Sequence, residues 1–199
     1  MKKAITYLSK TDPIFKAIIK QYGLPTIPTR PQGFATLALL ILEQQVSIDS
    51  AKATFGKLLQ IVPIFIPANV LDITDEAFRK AGVSRQKTSY IKGLALAIEN
   101  NEINLHSLAQ KPSEKVREQL IALKGIGPWT IDVYLMFCLQ APDILPLGDI
   151  AVVNTIKELW SIADKQAMQS FTEQWAPYRS MATFLIWHYY LCKRNRKMP

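Results

Sequence analysis

The fold is decided by the stretch Leu123-Lys124-Gly125-Ile126-Gly127-Pro128-Trp129-Thr130. Helical patterns precede and follow it, its two glycines permit a tight turn, and Pro128 suits the first turn of the second helix. The amides that open this helix would point outward beside the positive end of its dipole, where they could bind an anion. Ile126 would plug into the core and fix the turn. Considered alone, the same residues also fit a plain helix–turn–helix connection.

Helical periodicity recurs along the rest of the chain, and strand signals are almost absent. The sequence therefore predicts an all-α fold with about ten helices. The tail Lys193-Arg194-Asn195-Arg196-Lys197 is basic and is expected to be frayed. The predicted helix N-caps are Ser47, Thr74, Ser84, Ser113 and Asp149, and Pro177 is predicted to open the last helix.

Prolines and turn residues cluster at 25–32, 61–67 and 142–148, and the first and third clusters bracket a central block. We expect 33–141 to form one helical lobe, which contains the helix–hairpin–helix at about 113–140. Residues 1–32 and 142–199 are expected to form a second lobe from both termini, with a cleft between the lobes.

Composition narrows the class of protein. Lys and Arg number 24 against 16 Asp and Glu, so the net charge of +8 favours a polyanionic partner such as nucleic acid. The 49% apolar content excludes a disordered chain. The sequence has no transmembrane run or signal peptide, so we expect a cytoplasmic protein without a membrane partner. Cys138 and Cys192 are predicted to be buried thiols, and two cysteines with two histidines predict neither a zinc site nor an iron–sulfur cluster.

Asp149 follows an apolar, proline-rich loop, Leu145-Pro146-Leu147-Gly148, and precedes a helical pattern. An N-cap is the simplest interpretation of this residue. An ionised carboxylate in such a place could also stabilise a positively charged transition state. From this segment alone, the cap is favoured over catalysis.

Taken together, these features resemble the helix–hairpin–helix (HhH-GPD) superfamily of base-excision DNA glycosylases, and most closely its DNA-3-methyladenine glycosylase II branch. In that superfamily a hairpin is followed by a Gly/Pro-rich loop and then by an aspartate, as here with Asp149. The likeness covers residues 30–190, although each motif alone is weak. The matching segments are Ile41-Leu42-Glu43-Gln44-Gln45-Val46-Ser47, Ala81-Gly82-Val83-Ser84-Arg85-Gln86-Lys87, Gly125-Ile126-Gly127-Pro128-Trp129-Thr130, Trp175-Ala176-Pro177-Tyr178-Arg179-Ser180 and Ile186-Trp187.

The resemblance implies a two-lobe helical fold with the active site in the cleft, and a monomer that acts on damaged double-stranded DNA. The implied reaction flips an alkylated purine such as 3-methyladenine out of the duplex and hydrolyses its N-glycosidic bond. Asp149 would be the catalytic residue. Trp129 stands where relatives that nick the backbone place a lysine, so no lyase activity is expected. No cofactor is expected either. In a bacterium the protein would associate with the nucleoid.

The resemblance also assigns the base pocket and the DNA contacts. Trp129 and Trp187 would line the pocket with Tyr134 and Tyr190 behind them, although core packing explains any one of these aromatics equally well. The implied DNA-binding residues are Gln45, Ser47, Lys124, Gly125, Gly127 and Thr130. A monovalent cation is implied at the main-chain carbonyls of Ala122, Lys124 and Gly127. Gln45 matches the position that fills the gap left by the flipped base, and the sequence leaves open whether it acts as the wedge.

Three alternatives stay open. The chain could be a glycosylase for uracil, mismatched thymine or an oxidised purine, a non-catalytic helix–hairpin–helix DNA-binding module, or an unrelated helical protein. Asp132 and Asp143 are predicted to be solvated or capping residues, and His106 and His188 to be structural or exposed.

Overall fold

The computed structural model describes residues 1–196. These residues form twelve α-helices and two short 3-10 segments with no strand among them, which confirms the predicted all-α class. The helices are α1 (Lys2–Thr11), α2 (Pro13–Tyr22), α3 (Phe34–Glu43), α4 (Ile48–Ile61), α5 (Pro67–Leu71), α6 (Asp75–Lys80), α7 (Arg85–Glu99), α8 (Ser113–Ile121), α9 (Pro128–Phe137), α10 (Ile150–Trp160), α11 (Lys165–Thr172) and α12 (Arg179–Cys192), and the 3-10 segments are Leu105–Gln110 and Glu173–Trp175.

Side-chain caps start most of the predicted helices. The hydroxyls of Ser47, Thr74 and Ser84 each accept a hydrogen bond from the amide three residues later, at 3.2–3.3 Å. The cap predicted at Ser113 is wrong, because α8 already includes this serine and its N-cap, Pro112, makes no side-chain hydrogen bond. A proline is preorganised for a helix start without such a bond, so the boundary moves by one residue.

The last helix and the tail also differ from the prediction. Helix α12 begins at Arg179 rather than at Pro177, because the chain first makes a turn in which the Tyr178 amide donates to the Trp175 carbonyl at 2.9 Å. The first two residues of the predicted frayed tail make side-chain contacts. Lys193 forms an ion pair with Glu158, and the Arg194 guanidinium lies 3.8 Å above the centre of the Tyr190 ring. Lys197 lies outside the described residues.

The chain divides into two compact units, one made of residues 30–134 and one made of 1–29 with 135–199. Inside the 30–134 unit, α3 is apolar on nearly every side and is buried along most of its length. Helices α4 and α7 pack against it. The helix ends at Glu43, whose carboxylate is buried and accepts two hydrogen bonds of 2.9 Å from the Arg30 guanidinium. The predicted boundaries and arrangement of the lobes stay a prediction.

The other unit packs around aromatic side chains. Phe15 and Trp175 are both fully buried with ring centroids 5.0 Å apart, and Trp160 lies 5.1 Å from Trp175. The Asp12 carboxylate caps α2 and accepts a hydrogen bond of 2.7 Å from the Trp160 indole, which satisfies a polar group at the edge of this core. Among residues 1–196, no helix is both long enough and apolar enough to cross a bilayer.

Candidate functional site

The hairpin between α8 and α9 is held by its own backbone and by one buried side chain. The Ile126 amide donates to the Leu123 carbonyl at 3.1 Å, and the Ile126 side chain is 3% exposed, so the predicted plug is confirmed. The first backbone bond of α9 runs from the Ile131 amide to the Gly127 carbonyl at 3.1 Å. The residue before Pro128 is a glycine, which has no side chain to cap the amides of this first turn.

The two hairpin glycines serve different purposes. Gly125 has φ +89°, and a Cβ added there would lie 2.2 Å from Cγ of Tyr90. Only glycine therefore fits at this position, for both backbone and packing reasons. Gly127 lies outside the left-handed region, and a Cβ added there would meet nothing within 4 Å. Gly127 thus leaves the hairpin surface open, which suits close approach by a ligand.

Thr130 does not present its hydroxyl to the surface. The side chain is 1% exposed, and its Oγ1 accepts a hydrogen bond of 3.0 Å from the Gln44 side-chain amide. The DNA contact predicted for Thr130 stays a prediction, and the residue could make it through its backbone amide in the first turn of α9. Lys124, at the tip of the hairpin, is exposed as a phosphate contact requires.

Main-chain carbonyls are hard oxygen donors, so those of the hairpin suit an alkali cation. The Gly127 carbonyl, one of the three predicted ligands, also accepts the Ile131 amide, and its second lone pair is the one that would face a cation. The cation site stays a prediction. Within residues 1–196, no three His, Cys, Asp or Glu side chains cluster closely enough to hold a metal ion.

The turn between α3 and α4 presents Gln45 to solvent. Gln45 is exposed and has φ +60°, a left-handed conformation that a non-glycine residue rarely adopts. The Lys87 ammonium donates to the carbonyls of Leu42 and Gln44 at 2.7 Å each. Burial of this ammonium lowers the pKa of Lys87. Ser47 is exposed at the end of the turn, where its hydroxyl caps α4.

Asp149 caps α10 as predicted and is also held by a tryptophan. Its Oδ1 accepts hydrogen bonds from the amides of Ala151 and Val152, at 2.9 and 3.0 Å, and from the Trp187 indole at 3.2 Å. The Trp187 ring stacks on Phe137 with centroids 5.7 Å apart. Two backbone amides at the start of α10 and one indole supply these three bonds, and they fix the orientation of the carboxylate.

Two other aspartates are engaged in ion pairs. Asp132 is buried and lies 2.5 Å from the Arg117 guanidinium, and its burial raises the pKa of the carboxyl although the arginine opposes this. Asp143 forms a bidentate pair with Arg179 at 2.8 Å and also accepts the Arg179 amide. The arginine hydrogen bonds lower the pKa of Asp143. The interpretation of Asp132 as solvated is thus wrong, whereas Asp143 accepts the first backbone amide of α12, whose N-cap residue is Tyr178.

Residues 38–179, more than two thirds of the 199-residue chain, match the family described as HhH-GPD superfamily base excision DNA repair protein. The chain belongs to this superfamily. The hairpin between α8 and α9 and the cap of α10 both lie inside the matched range.

Relatives within the superfamily share the fold over nearly the whole chain. The structure of DNA-3-methyladenine glycosidase from Bacillus halodurans is 30% identical with a TM-score of 0.82, covering 96% of this chain and 90% of that one. The Schizosaccharomyces pombe 3-methyladenine DNA glycosylase bound to abasic DNA is 25% identical with a TM-score of 0.83, covering 96% and 97%. A DNA-3-methyladenine glycosylase of Bacillus subtilis is 30% identical over 90% of this chain. The chain spans 64% of that protein's length and 43% of another B. subtilis relative's.

The predicted pocket aromatics differ in exposure. Trp129, in the first turn of α9, is partly buried, and Trp187 is 9% exposed. Tyr134 is completely buried, and its hydroxyl accepts the Gly33 amide at 3.1 Å, so it can only support a pocket from behind. Tyr190 is partly exposed beneath the Arg194 guanidinium. Stacking of a base on these rings stays a prediction.

Several residues escaped sequence reasoning because their partners are distant in the chain. Gln44 donates to the Gly125 carbonyl, 81 positions later, and Lys87 holds a turn 43 positions earlier. Ile150 is 74% exposed beside Asp149, an apolar surface at the carboxylate. Its place directly after a candidate catalytic residue was the one signal that could have identified it.

The two histidines and the two cysteines differ in exposure. His106 is exposed, and His188 is partly exposed with its ring 3.1 Å from the Tyr22 carbonyl, which confirms the expectation for both. Cys138 is buried as predicted, but Cys192 is only partly buried, 3.6 Å from the His188 ring. Its place in the last turn of α12 explains the exposure.

Proposed function

We propose that this protein is a monofunctional DNA glycosylase of base excision repair that removes alkylated purines, such as 3-methyladenine, from duplex DNA. The observation that carries the proposal is Asp149, a carboxylate fixed by two helix amides and an indole. Membership of the superfamily and the names of the relatives support the reaction type and the substrate class.

The proposed reaction is hydrolysis at C1′ of the flipped nucleotide. The bond from C1′ to the purine nitrogen breaks, its electron pair leaves with the base, and water adds to C1′ and releases one proton to solvent. Two helix amides and the Trp187 indole fix the Asp149 carboxylate through Oδ1. This carboxylate would stabilise the cationic sugar and orient the attacking water. An N-alkylated purine is already cationic and leaves as a neutral base, so a second carboxylate acting as general acid is not needed.

Asp149 suits this role better than the other two aspartates considered. Asp132 and Asp143 each face a guanidinium, which would cancel the negative charge that a cationic transition state requires. Asp149 lies at the start of α10, where two amides and the Trp187 indole fix the geometry of its carboxylate.

DNA binding would use the hairpin and the α3–α4 turn. The open surface at Gly127 would let the first-turn amides of α9 approach a phosphate, and the net charge of +8 would add affinity that does not depend on sequence. The exposed side chain of Gln45 would fill the gap that the flipped base leaves. A tryptophan at 129 has no amine to form a Schiff base, so the backbone would stay intact.

The proposal is tested by incubating the protein with methylated duplex DNA and measuring released bases by mass spectrometry. We expect free 3-methyladenine and a backbone that breaks only after alkali. Parallel duplexes carry uracil, a thymine mismatch, 8-oxoguanine or hypoxanthine. Release from only the uracil, mismatch or 8-oxoguanine duplexes would replace the substrate class. Binding to all duplexes without any release would identify a DNA-binding module.

A further inference from the structure

Two successive glutamines of the α3–α4 turn have different surroundings: Gln44 contacts the hairpin, and Gln45 is exposed to solvent. Gln44 is the C-cap residue of α3, and Gln45 follows in the left-handed conformation with its side chain exposed. Such a conformation persists in a residue other than glycine only when the surroundings impose it. The neighbours of Gln44 therefore decide where Gln45 points.

The side-chain amide of Gln44 bridges this turn to the hairpin. Its Nε2 donates to the Gly125 carbonyl at 2.8 Å and to Thr130 Oγ1 at 3.0 Å. A carbonyl can only accept, so the amide nitrogen must face it, and both of its hydrogens are used. The Thr130 end of this bridge is buried and Gln44 is half-buried, so water competes only partly for these hydrogen bonds.

Helix α7 supports both ends of the bridge. Lys87 donates to two carbonyls of the turn, and Tyr90 places its ring directly under Gly125. Residues three apart in a helix lie on the same face, so one face of α7 contacts turn and hairpin together. The three contacts close a ring of turn, hairpin and α7.

We propose that Gln44 is a positioning residue that keeps the Gln45 turn and the hairpin at a fixed spacing, so that gap filling and phosphate binding occur together when a base is flipped. This inference rests on the proposed function. Gln44 itself contacts no DNA in this arrangement and acts through Gln45 and the hairpin. Without this bridge, the hairpin would still bind phosphates, but Gln45 would no longer be held at the distance from the hairpin that lets it fill the gap at the same time.

The test uses a duplex that carries a tetrahydrofuran abasic analogue opposite 2-aminopurine, whose fluorescence reports on gap filling without any base release. Gln44→Met keeps the side-chain length and removes both donors. We expect the fraction of filled gap to fall about tenfold and the duplex Kd to change less than about threefold, as for two lost hydrogen bonds. In a Gln45→Ala background, Gln44→Met should add almost nothing, because both variants remove the same step.

Gln140→Met is the matched control. Gln140 also has a positive φ and donates two side-chain hydrogen bonds to carbonyls, those of Met136 and Phe137, away from the hairpin. It should leave the fluorescence signal unchanged. Thr130→Val keeps the shape of the partner and removes one acceptor, so it should give a smaller loss in the same direction. This second variant decides the question if Gln44→Met does not fold.

Three results would each overturn the proposal. The effects of Gln44→Met and Gln45→Ala on gap filling could be additive, Gln44→Met could weaken duplex affinity as much as gap filling, or it could leave the 2-aminopurine fluorescence unchanged. Amide hydrogen exchange of the free protein provides a second readout, since exchange at residues 124–130 should accelerate in Gln44→Met. Neither readout requires glycosylase activity. A wild-type protein that releases no base would therefore defeat the proposed function and still leave the bridge to be judged.

Discussion

Two helices of this protein begin in opposite ways. Helix α9 starts after a glycine, with an open surface at Gly127 beside its first turn. Helix α10 starts after Asp149, whose own carboxylate accepts the first amides. A helix N-terminus attracts negative charge in both cases. At α10 the protein provides that charge itself, whereas at α9 the geometry suits a charge from a partner such as a phosphate.

The carboxylates near these two helix starts also differ. Asp132, one turn into α9, is buried against Arg117, and the pair ties α8 to α9. Asp149 is fixed by amides and an indole. In the hairpin a guanidinium balances the charge of the carboxylate, and at α10 two amides and an indole orient the carboxylate. Two aspartates near helix starts thus differ in the donors that hold them, a guanidinium at Asp132 and backbone amides with an indole at Asp149.

Arg117→Met should give the largest loss of stability. It would leave the buried Asp132 carboxylate without its cation, at a cost of about 3–5 kcal/mol in the free energy of unfolding. Arg179→Met is the control, because its pair with Asp143 is about a quarter exposed on both sides, and should cost about 1–2 kcal/mol. Urea unfolding measures both. Equal losses would mean that the hairpin pair is no more than a surface contact.

Asp149→Asn should lower the rate of base release about 10²- to 10³-fold, the range for removing one electrostatic contact to a transition state. Stability should hardly change, since Asn caps a helix as well as Asp does. Asp164→Asn, the same change at the cap of α11, should leave the rate unaltered. Single-turnover base release measures all three proteins. A fully active Asp149→Asn variant would assign the chemistry elsewhere.

The hairpin could be predicted from the sequence because its determinants are local. A glycine turn, a first-turn proline and a buried isoleucine lie within a few residues of each other, and N-caps follow similar short-range rules. Asp149 was found as a cap for the same reason. The N-cap prediction for Ser113 is wrong because serine and proline both suit a helix start. The sequence did not indicate that Pro112 would be the N-cap and Ser113 the first helical residue.

The contacts that give these local motifs their different roles are long-range. The sequence does not distinguish Gly125 from Gly127. In the structure, the Tyr90 ring packs against Gly125, whereas a Cβ added at Gly127 would meet no neighbour within 4 Å. The indole that orients Asp149 lies 38 positions away from it. No periodicity or spacing rule encodes such pairs, because they depend on how complete helices pack.

Alanine substitutions should distinguish the roles of the two hairpin glycines. Gly127→Ala should weaken binding to duplex DNA about tenfold, as for one lost phosphate hydrogen bond, and cost less than about 1 kcal/mol of stability. Gly125→Ala should instead cost about 2 kcal/mol or more, because its φ of +89° is strained for alanine and the Tyr90 ring must move. Fluorescence anisotropy and urea unfolding measure the pair. Unchanged binding by Gly127→Ala would show that no phosphate approaches this surface.

The smallest effects are those of pH, and they should have opposite signs at the two carboxylates. The pKa of Asp143 is lowered by its arginine, so its contribution is complete above the unfolded pKa of about 3.9 and is lost as pH falls through the folded value. The pKa of Asp132 is raised by burial, so the folded state binds the proton more tightly and its contribution falls as pH rises above about 3.9.

Urea unfolding between about pH 3 and 6, comparing wild type with Asp143→Asn and Asp132→Asn, measures these contributions. The advantage of wild type over Asp143→Asn should grow with pH by about 1 kcal/mol, whereas its advantage over Asp132→Asn should shrink. Slopes of the same sign would mean that the Arg117 charge outweighs burial at Asp132. The hairpin carboxylate would then be stabilised in its charged form, like Asp143, and the contrast in sign between the two carboxylates would be lost.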